Sequence, residues 1–324
     1  MNQLRRSIFI FALIAVLAGL AVAQIPRGVT PEDYFAFEFI SDPNLSPDGK
    51  LVAYVVTKID RAQNRRNSSI WMAATDGSRA PWQFTTSPQS SNSPRWSPDG
   101  KSLTFLSSRP EAGAGANAEP RTQVYSLSLS GGEAKRLTNI KNGVSQFRWS
   151  PDGTRLVLVS RIGPSDSRSG DPKDRSDVRH YQNTSYKFND SGWFDDRRTH
   201  LWIVDVKSGA AKQITKGDDC NDSDPQWSPD SKRIAFVSNR TGKEYDENRN
   251  TDVWVINADG SGTLTKISDH DEADNQPRWS PDGKMIAFAG EVHDRDHPKI
   301  WLAPVTGGVA STLEIGRASC RERV

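Results

Sequence analysis

The chain has 324 residues, with 42 Lys and Arg against 40 Asp and Glu, and a formal net charge of +2. This balance leaves no basic excess for a polyanion, so we predict no nucleic acid partner. The 24 Gly, 19 Pro and 2 Cys exclude collagen-like chains, low-complexity chains and disulfide-stapled miniproteins, and are typical of a turn-rich β protein.

Residues 1–23 have the pattern of a secretory signal peptide. Arg5 and Arg6 precede an apolar run over residues 8–20, and Ala21-Val22-Ala23 is a small-residue cleavage site. The apolar run is shorter than the roughly 20 residues that a membrane span needs. We therefore expect cleavage after Ala23, a periplasmic or secreted chain, and no stable membrane insertion after cleavage. An uncleaved N-terminal anchor is the alternative. Residues 24–39 are then a short lead-in.

A tetrapeptide, Ser-Pro-Asp-Gly or Ser-Pro-Asp-Ser, recurs five times after the lead-in. Its first residues are Ser46, Ser97, Ser150, Ser228 and Ser280. The spacing is close to 52 residues, except for 78 residues between the third and fourth copies. A repeat of this length is typical of solenoids and propellers. Four copies follow a tryptophan directly: Trp96, Trp149, Trp227 and Trp279.

Each tetrapeptide lies within a unit that has the pattern of four short strands. An apolar run follows the turn, then a run with an aromatic residue near its start, then a glycine-containing turn and a short third run. Four strands per unit predict an all-β propeller with WD40-like repeats over residues 40–313. Blades begin near residues 40, 92, 145, 223 and 275, which gives four complete blades and a partial fifth. The tryptophans are expected to pack between blades.

The longer interval contains an insertion within the third unit, between residues 161 and 200. Residues 163–175 are polar and glycine-containing, which indicates a solvated loop. Two aromatic segments, at residues 181–188 and 193–200, flank Asn189-Asp190-Ser191-Gly192. Because such a tetrapeptide is typical of a turn, we predict a hairpin that continues into the next blade strand.

The insertion also carries a specific resemblance. Its Tyr186-Lys187, Asn189-Asp190-Ser191-Gly192, Asp195-Asp196-Arg197-Arg198 and His200-Leu201-Trp202 resemble the propeller of the acylaminoacyl-peptidase and dipeptidyl-peptidase branch of the prolyl oligopeptidase family. The resemblance covers roughly residues 30–313. It implies a ring of seven or eight blades placed before a C-terminal α/β-hydrolase domain that holds a Ser-Asp-His triad. Such a propeller admits short peptides and excludes folded proteins.

The chain departs from that family in one respect: no G-x-S-x-G nucleophile motif occurs in it. No residue therefore receives a catalytic role, and no cofactor or metal is assigned. The resemblance implies a parent serine exopeptidase that releases dipeptides or acylated residues from short peptides. We expect the present chain to be its substrate-gating portion and to be inactive alone.

One group of residues is singled out as a site, at the end of the insertion. Asp195, Asp196, Arg197 and Arg198 are predicted to line the substrate cavity or to contact the hydrolase domain. Local ion pairing across the hairpin is the alternative. Three other features are not predicted to be functional sites. We interpret residues 218–224 as a solvated loop rather than a calcium site, and residues 293–297 as a polar loop rather than a metal site. Cys220 is expected to be an unreactive free thiol.

The last eleven residues, EIGRASCRERV at 314–324, resemble the translation of a sequencing adapter. The repeat stops in mid-unit after Leu313. We therefore predict that the gene product is truncated and that residues 314–324 are not native, with a genuine basic tail as the alternative. A second function stays open, that of a TolB-like, non-enzymatic periplasmic propeller for protein–protein interaction. The short lead-in disfavours it, because TolB-like proteins carry a small α/β domain before the blades.

Overall fold

The computed structural model describes residues 27–110, 121–167, 187–188, 192–193, 196–242, 250–290 and 299–313. Within these residues the chain forms five four-stranded antiparallel sheets and one two-stranded hairpin. Helical structure in the same residues consists of two short 3-10 segments, Pro31–Ala36 and Pro164–Ser167. No helix in the described part of the chain is long and apolar enough to cross a bilayer.

The first two sheets, blades 1 and 2, take their strands in chain order. Their strands are β1 (Glu38–Leu45), β2 (Leu51–Asp60), β3 (Arg65–Ala74), β4 (Trp82–Gln83), β5 (Ser91–Trp96), β6 (Ser102–Ser107), β7 (Gln123–Ser128) and β8 (Lys135–Arg136).

Blade 3 contains the insertion, whose hairpin lies between its second and third strands. The strands in this part of the chain are β9 (Gln146–Trp149), β10 (Arg155–Ile162), the hairpin strands β11 (Lys187–Phe188) and β12 (Gly192–Trp193), then β13 (Arg198–Asp205) and β14 (Ala211–Gln213). Blades 4 and 5 are regular again. They comprise β15 (Asp222–Trp227), β16 (Arg233–Ser238), β17 (Asp252–Asn257), β18 (Thr265–Lys266), β19 (Asp274–Trp279), β20 (Met285–Gly290), β21 (Lys299–Pro304) and β22 (Ser311–Thr312).

The predicted all-β propeller architecture is confirmed, and each sheet begins within two residues of a blade start expected from the repeat. The fifth blade is more complete than expected, because the two-residue strand β22 pairs with β21. The hairpin in the insertion is also confirmed. Lys187 pairs with Trp193 and Phe188 with Gly192, on either side of the predicted turn.

The repeated tetrapeptides form the turns between the first two strands of each blade. In every copy the serine hydroxyl donates to the aspartate Oδ1 at 2.6 to 2.7 Å, and the fourth residue donates its N–H to the serine carbonyl. The fourth residue has a φ of 68° to 72° in the four glycine copies and 59° at Ser231. Glycine is favoured there because it adopts a positive φ without steric cost.

The tryptophans join the blades, as expected. Each indole N–H donates to the preceding blade, and three of the four acceptors are main-chain carbonyls of that blade's innermost strand. The bonds are Trp96 to Asn44 O (3.0 Å), Trp149 to Thr104 Oγ1 (2.8 Å), Trp227 to Arg148 O (3.2 Å) and Trp279 to Gln226 O (3.1 Å).

The hydrophobic core is divided into four clusters, one at each boundary between consecutive blades. Between blades 3 and 4, for example, Val157 and Leu201 pack with Trp227 and Phe236. The free face of blade 1 differs, because its Ile40 and Leu45 are 71% and 60% exposed. Blade stacking therefore supplies the apolar burial, and blade 1 has large apolar side chains available for a further contact.

The connections of each blade are unequal in length. Five residues join the first and second strands in all five blades, whereas the second and third strands are separated by 15 residues in blade 2, 35 in blade 3 and 13 in blade 4. In blade 3, Val159 near the end of β10 pairs with Gln146 at the start of β9. The long connections therefore leave the blades at the end where the innermost strands begin.

Candidate functional site: the inner cavity and the blade 3 insertion

The innermost strands place arginines along the axis of the propeller. In blades 2, 3 and 5 the residue before the repeated tryptophan is Arg95, Arg148 or Arg278. Each guanidinium folds back onto its own strand: its Nη1 donates to the carbonyl oxygen of the preceding residue at 2.6, 3.4 and 2.7 Å respectively. A shared side-chain conformation thus recurs at the same position of three blades.

A backbone irregularity accompanies these arginines. In blades 1, 2, 4 and 5 a residue of positive φ precedes a proline in the innermost strand, and the register with the second strand shifts there. The residues are Asp42 (48°), Ser93 (53°), Asp224 (43°) and Gln276 (55°). Bulges of this kind redirect side chains and recur beside functional sites. Blade 3 has Phe147 in place of the proline, and its register is continuous.

Two of the arginines form ion pairs across a blade boundary. Arg95 Nη1 lies 2.9 Å from both carboxylate oxygens of Asp42 in blade 1. Arg278 Nη1 lies 3.8 Å from Asp224 Oδ2 in blade 4. In both pairs the carboxylate comes from the positive-φ position of the preceding blade. The bulge therefore aims an acidic side chain at the arginine of the next blade.

A cavity of about 220 Å³ lies among the innermost strands of blades 2, 3 and 4, and we call it the inner cavity. Its lining residues are Ser93, Arg95, Ser145, Gln146, Phe147, Arg148, Asp224 and Pro225. Burial, reinforced by repulsion from Arg95 and Arg278, lowers the pKa of Arg148 to about 10. Arg148 thus remains protonated at neutral pH. The space suits one small polar group rather than a drug-sized ligand.

The residues singled out in the insertion lie elsewhere. Asp195 is outside the described residues, and Asp196, Arg197 and Arg198 are not among those that line the inner cavity. Arg197 Nε instead pairs with Asp166 Oδ1 at 2.9 Å. Asp166 belongs to the 3-10 segment that follows β10, so this pair joins the two ends of the insertion. Arg197 therefore takes part in a local ion pair at the base of the insertion.

Asp166 is the centre of this junction. Its carboxylate also accepts from Asn142 Nδ2 at 2.9 Å and from the Gly163 N–H at 3.0 Å. Burial acts to raise the pKa of Asp166, but these donors and Arg197 outweigh it and the pKa is lowered. The backbone here is closely packed: a Cβ on Gly163 would lie 2.7 Å from Arg197 Cα. Hydrogen bonds, an ion pair and close backbone packing therefore hold the base of the insertion against the blade.

A second polar cluster, unforeseen from sequence, lies between blades 3 and 4. His200, Cys220 and Asp222 are all buried, and their ligand atoms lie within 4.8 Å of one another, a geometry that could hold a metal ion. His200 Nδ1 faces Asp222 Oδ2 at 3.2 Å and Nε2 faces Gly217 O at 2.9 Å, while Arg240 donates to Asp222 Oδ1 at 2.7 Å. Because His200 and Arg240 already bond Asp222, and Cys220 Sγ faces Lys216 O at 3.8 Å, we interpret the cluster as a structural contact between blades.

This cluster corrects one expectation. The solvated-loop interpretation of residues 218–224 is wrong for Asp222, which is fully buried, although Asp218 and Asp219 are exposed. Asp274 also lies five residues before the tryptophan of its blade, blade 5, and is buried too. The recurrence of aspartate at this position in blades 4 and 5 is the sequence signal that could have predicted the burial of Asp222. Cys220 is a buried free thiol whose pKa is raised by burial, which fits an unreactive cysteine. The loop at 293–297 lies outside the described residues.

Comparison with known proteins gives consistent matches. Residues 179–300 match the model of the dipeptidyl peptidase IV N-terminal region. The chain is 34% identical over 232 residues to the uncharacterized peptidase YuxL of Bacillus subtilis, covering 70% of this chain and 34% of that protein. It is 27% identical over 284 residues to dipeptidyl-peptidase 5 of Porphyromonas endodontalis, covering 82% of this chain and 39% of that protein. The chain thus spans little more than a third of the length of these relatives.

Two further matches bear on fold and on the alternative function. The acylaminoacyl peptidase of Pyrococcus horikoshii superposes with a TM-score of 0.63 at 21% identity, over 89% of this chain and 41% of that one, which is a likeness of fold. The Tol-Pal system protein TolB of Francisella tularensis is 26% identical over 210 residues, covering 60% of this chain and 44% of that protein.

Proposed function

We propose that this chain, a β-propeller of the dipeptidyl peptidase IV and acylaminoacyl peptidase group, is the substrate-gating portion of an exported serine exopeptidase. The parent enzyme releases dipeptides or acylated residues from short peptides, and its α/β-hydrolase domain lies outside the present 324 residues. The signal-peptide pattern of residues 1–23 motivates the export. The chain alone holds no catalytic role.

The match of residues 179–300 to the dipeptidyl peptidase IV N-terminal region carries this proposal. It spans the hairpin of the insertion, where the sequence resemblance is most specific, the last two strands of blade 3, all of blade 4 and the first two strands of blade 5. Relatives named as peptidases, which the chain covers only over about a third of their length, support a larger parent protein. The stacked blades in turn provide a rigid frame of the kind that selects peptides by size.

The unequal connections support a gating role at one end of the propeller. Blades 2, 3 and 4 send their long connections from the end where the innermost strands begin, and the inner cavity opens among those strands. The Asp166–Arg197 pair holds the base of the longest connection. A partner domain seated at this end would meet both the insertion and the polar inner cavity.

The test is an activity assay on the longer gene product. The full reading frame is expressed from its native locus and assayed with dipeptidyl and acylaminoacyl p-nitroanilides, beside a variant in which the serine of the G-x-S-x-G motif is changed to alanine. We expect release of p-nitroaniline by the parent enzyme and its loss in the variant. A longer product without hydrolase activity, or activity that survives the serine change, would refute the proposal.

A non-enzymatic, TolB-like periplasmic propeller is the second candidate. The match to the Tol-Pal system protein TolB over 60% of this chain favours it. The two candidates differ in what the native gene encodes: the peptidase requires a hydrolase domain after the blades, whereas the binding protein requires none. Stable capture of an envelope protein by the full product, with no p-nitroaniline release, would favour this second function.

A further inference from the structure

In the part of the chain that the structure describes, two of the three inner-strand arginines pair with an aspartate of the preceding blade, and the third, Arg148, does not. Arg95 pairs with Asp42 and Arg278 with Asp224, each the positive-φ residue of the preceding blade. The preceding blade of Arg148 is blade 2, whose positive-φ residue is Ser93. A hydroxyl therefore stands where the other two pairs have a carboxylate.

The result is an uncompensated positive charge beside the inner cavity. Arg148 forms no ion pair within 4.0 Å among the described residues, and its guanidinium donates to Phe147 O alone, at a long 3.4 Å. The charged groups that act on it most strongly are Arg95, Asp224, Arg278 and Asp42. Three arginines against two aspartates leave one excess positive charge in this group. A desolvated guanidinium of this kind is stabilised by an anion that reaches it.

We propose that the inner cavity binds a carboxylate that takes the place missing beside Arg148, with Arg148 as its charged partner. Arg148 and Ser93 both line the cavity. A planar carboxylate is the group that a guanidinium fork recognises best. The identity of the ligand as a peptide, through its C-terminus or an acidic side chain, rests on the proposed function; the carboxylate site itself rests on the geometry.

The repeat supplies variants that the fold already accommodates. Arg148→Gln removes the charge and installs the residue that blade 4 carries at the same position, Gln226. Ser93→Asp restores the missing carboxylate from within the chain, and Asp42 and Asp224 show that aspartate adopts this backbone conformation. Ser93→Asn is the matched neutral control for Ser93→Asp.

The experiment is titration calorimetry of the full chain, at low ionic strength, with four probes. These are acetyl-trialanine with a free carboxylate, its C-terminal amide, acetyl-Ala-Glu-Ala amide, and inorganic phosphate. We expect the free carboxylate to bind about tenfold or more tightly than the amide, as charge-assisted hydrogen bonds provide. Binding of the glutamyl amide as well would identify any peptide carboxylate as the ligand, and its failure to bind would identify the C-terminus.

The variants decide the role of Arg148. We expect Arg148→Gln and Ser93→Asp each to lose the preference for the carboxylate, and Ser93→Asn to keep it within about threefold, because Asn adds no charge. If Arg148→Gln does not fold, as judged by circular dichroism, the Ser93→Asp and Ser93→Asn pair still decides. Equal binding of acid and amide, carboxylate binding that survives Ser93→Asp, or tighter binding of phosphate than of either acid would overturn the inference.

This test separates the inference from the proposed function. Carboxylate binding by the chain, together with a longer gene product that lacks peptidase activity, would leave the site standing and refute the peptidase. Peptidase activity in the longer product, together with equal binding of acid and amide by the chain, would support the peptidase and refute the carboxylate site.

Discussion

The indole N–H of Trp227 donates to the main-chain carbonyl oxygen of Arg148 at 3.2 Å, across the boundary between blades 3 and 4. The same arginine presents its guanidinium to the inner cavity. One residue thus belongs both to the contact that joins two blades and to the candidate binding site. The stacking of blades 3 and 4 therefore helps to position Arg148 beside the inner cavity.

Trp227→Phe should lower the free energy of unfolding by about 1 to 3 kcal/mol, since it leaves the carbonyl of Arg148 without its donor in a partly buried contact and removes part of the indole. Urea denaturation measures this change. Trp202→Phe is the control, because the Trp202 indole nitrogen has no acceptor among the described residues. Equal losses in the two variants would show that the hydrogen bond across the blade boundary contributes nothing beyond packing.

Gly163→Ala should destabilise the chain by about 2 kcal/mol or more, because the new Cβ would collide with the backbone of residues 196 and 197 rather than with a movable side chain. Thermal unfolding followed by circular dichroism gives the shift. Gly28→Ala serves as the control, since a Cβ there meets nothing within 4 Å and the backbone φ is not positive. A Gly163→Ala variant as stable as the control would contradict the close approach at the base of the insertion.

The chain should lose stability as the pH falls from about 5 toward 2. The aspartates of the repeated turns have lowered pKa values. At Asp152, burial acts to raise the pKa, but hydrogen bonds from Ser150 and Thr154 outweigh it and bring the pKa to about 2. A pKa depressed by folding contributes stability that is present above the unfolded value near 3.9 and is lost as the pH falls through the folded value.

Urea midpoints measured between pH 7 and pH 2 check this dependence. Asp152→Asn removes one of the titrating groups and should flatten the acid limb of the curve relative to the parent chain. A parent chain whose stability is constant down to pH 2, or an unchanged slope in the variant, would show that these hydrogen bonds do not stabilise the charged form.

Cys220 should resist alkylation in the folded chain. It is only 5% exposed, and burial raises the pKa of its thiol, so little thiolate is available to iodoacetamide at neutral pH. Mass mapping of peptides assigns modification to Cys220 separately from Cys320. We expect labelling of Cys220 to appear with unfolding in urea, and rapid labelling without denaturant would contradict its buried placement.

The repeated turns and strands of this molecule were predictable from its sequence. The five turns recur because the serine, proline and aspartate of each tetrapeptide specify one local geometry, and the strands follow from the apolar runs beside them. The hairpin of the insertion was predictable for the same reason, as a turn tetrapeptide between two aromatic segments. The fifth blade closes more completely than predicted because β22 needs only two residues to pair with β21.

The contacts between blades were not predictable from local pattern. Arg95 and Asp42 are 53 residues apart, and their pairing depends on the bulge that turns Asp42 toward the next blade. Asp222 has the pattern of one more acidic loop residue. It is buried because blade 3 supplies His200 and the segment just after β16 in its own blade supplies Arg240. Arg197 belonged to a motif for which a cavity or domain contact and local ion pairing were both open, and the pattern alone did not name Asp166, at the other end of the insertion, as an ion-pair partner.

The most direct test of the central claim is to recover the source locus and sequence outward from codon 300. We predict that the native frame departs from the present sequence after Leu313, continues through two or three more blades, and enters a domain with a G-x-S-x-G motif. A stop codon soon after the repeats, with no such domain, would contradict the peptidase assignment and leave a binding propeller.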